Sequence, residues 1–219
     1  DHVIKSGRTH LQDATPIRLG QEFTAYGHTV VRHRQKLAQS ADWLRALGIG
    51  GTAVGTGLNA EPAYPALMVK YLRQVSGLEL REGEDRIQLM QSMGDIATFS
   101  GVFRAWVLDL NKIANDLRLL ASGPRTGLAE ILLPAVQPGS SIMPGKVNPS
   151  IAEMVNQVCF QALGLDATVA LAAEAGQLEL NVMMPVMARN LMESIRLLAT
   201  GVKVFTERCV AGIEADAEQ

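Results

Sequence analysis

Two stretches carry residue types that could act on a small anionic molecule. Residues 138–149 read Pro-Gly-Ser-Ser-Ile-Met-Pro-Gly-Lys-Val-Asn-Pro. Glycines and prolines at this density forbid a regular helix or strand. A strong helix start follows at once, because Asn148 can cap and Pro149 suits the first helical position. A loop that ends on a helix N-terminus and carries Lys146 offers an anion backbone amides, a partial positive charge and a cation. Ser140 and Ser141 in such a loop also suit simple turn chemistry. The second stretch, residues 6–16, reads Ser-Gly-Arg-Thr-His-Leu-Gln-Asp-Ala-Thr-Pro. It gathers Arg8, Thr9, His10, Gln12 and Asp13 just ahead of another expected helix. His10 there is either a pocket residue that handles protons or a satisfied structural histidine.

Two phosphate-binding patterns come close and fail. A Walker A loop needs four residues between its first Gly and the Gly-Lys pair, then Ser or Thr. Here five residues separate Gly139 from Gly145, and Val147 follows the lysine. Gly48, Gly50, Gly55 and Gly57 resemble a dinucleotide fingerprint, but they follow a helical window rather than a strand. They read as a turn.

The elements that must position these residues are helical. Few windows alternate with period two, and several repeat at three and four. A first helix is expected over residues 17–47, with Thr15 as N-cap and Pro16 at the first position. Leu19, Phe23, Tyr26, Val30, Leu37 and Leu44 form its stripe, and Gly48-Ile49-Gly50-Gly51 ends it. A short helix is expected over 64–75, stopped by Gly77. The strongest window runs unbroken over 85–121, with Leu89, Met93, Ile96, Phe103, Val107, Leu110, Ile113, Leu117 and Leu120 in line. A fourth helix is expected over 149–173, and a fifth over 177–211 with a kink at Pro185. The apolar faces are broad. Thin helix pairs cannot bury two faces each, so the expected fold class is all-α, a long-helix bundle completed by other subunits. No linker or repeat divides residues 1–219, which read as one domain.

Composition narrows the function classes. The chain has 219 residues, 47% apolar and 19% charged, with a net charge of −2, so neither disorder nor a field that would recruit nucleic acid is expected. No apolar run reaches the ~18 residues of a membrane span. Two cysteines, Cys159 and Cys209, form no disulfide framework, which suggests a reducing, cytoplasmic setting. No His, Cys or carboxylate cluster demands a metal, and nothing calls for a cofactor. The chain starts at Asp1 without a Met and reads as a piece of a longer protein.

Residues 139–149, GSSIMPGKVNP, and 7–16, GRTHLQDATP, resemble the two signature regions of the fumarase/aspartase superfamily. Residues 51–59, GTAVGTGLN, and 113–124, IANDLRLLASGP, fit as well, so the similarity covers almost the whole chain. The resemblance implies a central domain of long helices, four of which pack into one tetrameric bundle with active sites shared between subunits. It also implies anti elimination from a small dicarboxylate to give fumarate. The segment AAEAGQLELNVM at 172–183, together with Glu153-Met154-Val155-Asn156-Gln157-Val158, resembles the aspartase branch, which releases ammonia. Fumarases are the alternative, because Met184 stands where aspartases often carry an acid and His10 is common among fumarases. Argininosuccinate and adenylosuccinate lyases share the Thr-His region but have different loops. A non-catalytic helical oligomer with a lyase fold is the reading from another class.

The same resemblance assigns roles. Ser140 is the base, its alkoxide stabilised by loop amides and the following helix. Ser141, Lys146 and Asn148 bind substrate carboxylates, and Thr9 donates its hydroxyl to one. His10 sits in the pocket, paired with Glu153. For Glu153 a capping box is the competing reading, since Ser150-Ile151-Ala152-Glu153 fits S-x-x-E. Arg8 and Gln12 brace the loop. Gly139 and Gly145 are expected to hinge a mobile loop that closes over the carbanion. The regions flanking this domain in full-length relatives supply part of the pocket, so the 219 residues alone are expected to show little turnover.

Overall fold

The computed structural model describes residues 2–217. Among them, six α-helices dominate and six short strands form three two-stranded pairs. In chain order these are β1 (Ile4–Thr9), β2 (Gln12–Arg18), α1 (Leu19–Trp43), β3 (Ala46–Leu47), α2 (Tyr64–Ser76) and β4 (Arg81–Glu82). Then follow α3 (Arg86–Gln91), α4 (Gly94–Leu120), β5 (Ile131–Leu132), α5 (Ser150–Glu174), α6 (Met184–Arg208) and β6 (Glu214–Ala215). At 27 residues α4 is about 40 Å long. No described helix is long and apolar enough to cross a membrane.

The chain divides into two compact units. The first holds the residues up to Arg32, Trp106–Ala162 and those from Ile195 on. The second holds His33–Ala105 and Leu163–Ser194. In the first, Val107, Leu110, Ile113, Leu117 and Leu120 of α4 are buried, as are Ala152, Val155, Cys159 and Ala162 of α5. In the second, Met93, Val169, Ala172 and Met187 form a cluster that Ile96, Ala173 and Leu191 complete. From Val107 on, the stripe expected on α4 is the buried one, joined by Ala114, while Ile96 and Phe103 are half-buried. Ser100 is also buried, because its hydroxyl donates to Asp166 (2.6 Å), which Arg104 also engages (2.9 Å).

Three expected helices are corrected. Thr15-Pro16 does not start α1; both lie in β2, where Pro16 faces Ser6 across a two-stranded pair that leaves its missing donor on an edge. The helix starts at Leu19 instead, and Gln21 reaches back to accept from the Arg18 N–H (3.0 Å), half of a capping box. At its other end Ala46-Leu47 leaves the helix to pair in parallel with Arg81-Glu82. The single helix expected over 85–121 is two. Asp85 caps α3 by accepting from Ile87 and Gln88, and Ser92 turns extended and accepts from the Gly94 N–H (3.3 Å). The Met90 carbonyl, which a continuous helix would pair with residue 94, accepts from the Asn181 N–H instead (3.0 Å). Pro185 does not kink a helix over 177–211, because α6 begins at Met184 and proline fits its first turn. By contrast α2 ends where expected, on Gly77 in the left-handed conformation at φ 68°.

Candidate active site

The GRTHLQDATP region is an antiparallel hairpin rather than a lead-in coil. Its two-residue turn is His10-Leu11, both at positive φ (56° and 59°), as a type I′ turn requires. Neither is a glycine, so the turn is strained, and strain of this kind persists where surrounding structure over-determines it. Opposite the turn, Ala14 and Thr15 bulge against Gly7. A Cβ on Gly7 would come within 2.7 Å of the Thr15 carbonyl, so only glycine lets the two strands close. The hairpin is anchored by charge. Arg8 donates to Glu130 Oε1 (2.6 Å), Lys5 lies 2.6 Å from Glu130 Oε2, and Lys5 also engages Glu22 (2.9 Å). Arg8 therefore braces the hairpin. Thr9 and His10 at the tip are exposed, as is Gln12.

The serine loop lies in the same compact unit as the hairpin. Gly145 takes φ +80°, while Gly139 serves close approach: a Cβ there would collide with the Lys146 carbonyl. The loop is therefore pinched between 139 and 146 and presents its middle outward. Ser141 and Lys146 are exposed, Ile142 is 86% exposed, and Ser140 is half-buried. The Ser140 Oγ accepts from the Ile142 N–H (3.2 Å), a local turn. Asn148 is half-buried and its carbonyl accepts from the Ser150 N–H (2.8 Å) at the head of α5. The amides of that first turn, the Lys146 ammonium and the Asn148 side chain all belong to one short stretch, which suits a carboxylate.

The capping box is not formed. Gln137 donates to the Ser150 hydroxyl (2.7 Å), and the Glu153 carboxylate faces Arg118 Nη2 at 3.9 Å instead. Within one chain no hydrogen bond or ion pair among the described residues joins Thr9 or His10 to Ser140, Ser141, Lys146, Asn148 or Glu153. Sequence reasoning missed the polar set beside Glu153. Asn111, Asn115 and Arg118 recur at helical spacing along α4, and Glu153 and Asn156 are three apart on α5. That periodicity was available in the sequence, although Arg118 stands beside apolar residues and reads as an ordinary solvated side chain. No group of three or more His, Cys, Asp or Glu among the described residues is arranged to hold a metal.

The profile of the family described as Lyase matches residues 1–164. The chain belongs to this lyase family. Its similarity to curated lyases runs over the full length of the sequence. It is 53% identical over 219 residues to an aspartate ammonia-lyase of Bacillus subtilis (strain 168), and 51% identical over 215 residues to one of Helicobacter pylori (strain ATCC 700392 / 26695). It spans 100% and 98% of itself in these matches, but only 46% of each relative, so the chain is about half the length of the curated lyases it matches. Among solved lyases, a fumarate lyase:delta crystallin from Brucella melitensis bound to cobalt superposes with a TM-score of 0.96 at 53% identity, over 99% of this chain and 47% of that one. A recombinant class II fumarase from Schistosoma mansoni superposes with a TM-score of 0.93 at 35% identity, over 99% and 48%. The long-helix architecture is that of the fumarase/aspartase fold.

Proposed function

We propose that the protein carrying this sequence is an aspartate ammonia-lyase, which eliminates ammonia from L-aspartate to give fumarate. The observation that carries the reading is the contrast in identity: about half of all positions agree with aspartate ammonia-lyases, against 35% with the class II fumarase. Fumarate hydration is the second reading, favoured by the close superposition on that fumarase.

The chemistry explains why the residues are of these types. A proton must leave Cβ of aspartate, next to an ionised carboxylate, and the electron pair moves into that group as an aci-carboxylate bearing two negative charges. Breaking of the Cα–N bond then releases ammonia. Only groups that hold this charge better than they hold the substrate accelerate the step. Lys146, Asn148 and the first amides of α5 are a cationic and donor set of that kind, with Ser141 as a further ligand. Ser140 takes the Cβ proton, a reading supported by the Ile142 N–H from which its hydroxyl accepts, a donor of the kind that favours an alkoxide. Thr9 donates to the second carboxylate, and His10 pairs with Glu153. With no hydrogen bond or ion pair among the described residues joining the hairpin tip to the serine loop within one chain, the site is completed between neighbouring chains of a homotetramer. The 219 residues form one central domain of that assembly.

The test is an assay of the natural full-length protein. Fumarate absorbance should rise with aspartate and not with malate. Fumarate from malate alone would reverse the assignment. Replacing Ser140 by Ala should lower kcat by about three orders of magnitude or more while assembly is retained. A Ser140→Ala protein with ordinary turnover would remove serine from the role of base.

A further inference from the structure

Glu153 is held in a way that the proposed elimination uses. Asn156, one turn along α5, is only 3% exposed. Its Nδ2 donates to Asn111 Oδ1 (2.8 Å) and to the Asn111 carbonyl (3.3 Å) on α4. Two acceptors on one side leave the amide a single orientation, so Oδ1 must face the other way. There it accepts from Arg118 Nη1 (2.9 Å), which also lies 3.4 Å from Asn115 Oδ1. The Arg118 Nε edge is buried. A guanidinium is a rigid planar fork, so the Nη1 bond to Asn156, made with the Nε edge buried against protein and not itself hydrogen-bonded, restricts where Nη2 can lie. That nitrogen lies 3.9 Å from Glu153 Oε1, in the first turn of α5.

The last distance is too long for a hydrogen bond but close enough for attraction between charges. Both side chains are about two-fifths exposed, so the carboxylate is steered without being consumed. One oxygen is oriented by Arg118, and the group remains open to a second partner. Resting on the reading of Glu153 as a working carboxylate, we propose that Arg118 is a positioning residue for the elimination. Locked by the Asn111–Asn156 pair, it aims the Glu153 carboxylate at the group that shares the substrate pocket. A helix brace would need only the Asn156 contact; the fork directed at Glu153 is what a brace leaves unexplained.

The experiment is a double-mutant cycle in the natural full-length protein. Arg118→Met and Glu153→Gln are made singly and together, with Arg118→Lys as a variant that keeps charge and stem. Melting temperature and oligomer size are recorded for each. Arg118→Met should lower kcat about tenfold while KM changes less than about threefold. In the Glu153→Gln background the same change should cost less than about twofold, since the group it acts through is gone. Arg118→Lys should fold like the parent yet lose most of the same activity, because one ammonium cannot span Asn156 and Glu153. An equal loss in both backgrounds would overturn the proposal and leave Arg118 a brace. Unchanged kcat in both Arg118 variants would also overturn it. A silent Glu153→Gln would sink the reading of Glu153 itself, and an Arg118 effect persisting beside it would show that the arginine acts elsewhere.

Discussion

Asn181 shows how much one residue can carry. It is fully buried, and its Nδ2 donates to the Ala172 and Ala173 carbonyls (3.1 Å each) in the last turn of α5. Its Oδ1 accepts from Met183 N–H (2.8 Å) just before α6, and its own N–H reaches the Met90 carbonyl at the α3–α4 break. Three chain ends are thus satisfied by one side chain and one amide. Asn181→Ala leaves buried carbonyls without donors and should cost about 3 kcal/mol in urea unfolding. A loss under about 1 kcal/mol would mean that water replaces those bonds. The two cysteines behave oppositely to reactive thiols. Burial pushes both Cys159 and Cys209 up to about 11. Titration with a thiol reagent at pH 8 should therefore be slow in the native protein and fast in urea. The unfolded thiol ionises near 9 and the folded one only near 11, so the unfolded state holds fewer protons between those values. Stability contributed by the buried thiols is complete below pH 9 and is lost as pH rises toward 11. Denaturation followed across this window should show a decline that is smaller in Cys159→Ala and Cys209→Ala variants.

At the scale of elements, the serine loop and the helix ends decide most. The loop from 141 to 147 is exposed and includes Lys146, a tryptic site. If it closes over substrate, fumarate should slow cleavage after Lys146 by severalfold. Equal rates with and without the dicarboxylate would argue against closure. Asp85 gives α3 both of its side-chain cap bonds, so Asp85→Ala should cost about 1 kcal/mol by thermal melting. Several of these elements were legible in the sequence. The α2 helix was marked at its end by Gly77, and the start of α5 by Pro149, since these residues act locally. The hairpin of β1 and β2 was not. Thr15-Pro16 is a good helix start in isolation, yet residues 12–18 pair across to residues 4–9, and no window of local periodicity reports a partner strand. The α3–α4 break was hidden for the same reason. Its stripe continues in register through Met93, while the interruption comes from Asn181, some ninety positions on.

For the molecule as a whole, α5 explains why the chain points to assembly. Its inner stripe includes Ala152, Val155, Cys159, Ala162, Val169 and Ala172, all buried. A second row, Phe160, Gly164, Ala167 and Leu171, faces outward, with Phe160 59% and Leu171 64% exposed. A helix that is apolar on both sides belongs inside something larger. Replacing Phe160 and Leu171 together by Ser should shift the full-length protein to smaller species by light scattering, with loss of activity if the sites are shared between chains. An unchanged mass would exclude this face from the interface.

The residue types of the two signature stretches, the helical class and the family were determined by sequence alone, because composition, local periodicity and contiguous motifs need no knowledge of distant contacts. The orientation of Glu153 was decided only by tertiary structure. Its neighbours in sequence offered a capping box, but Gln137 took the serine and Arg118, from another helix, took the acid. The strained His10 turn likewise exists only because its two flanking strands pair. Local rules name what a residue can do; which of several partners it meets is set by the packing of segments far apart in the chain.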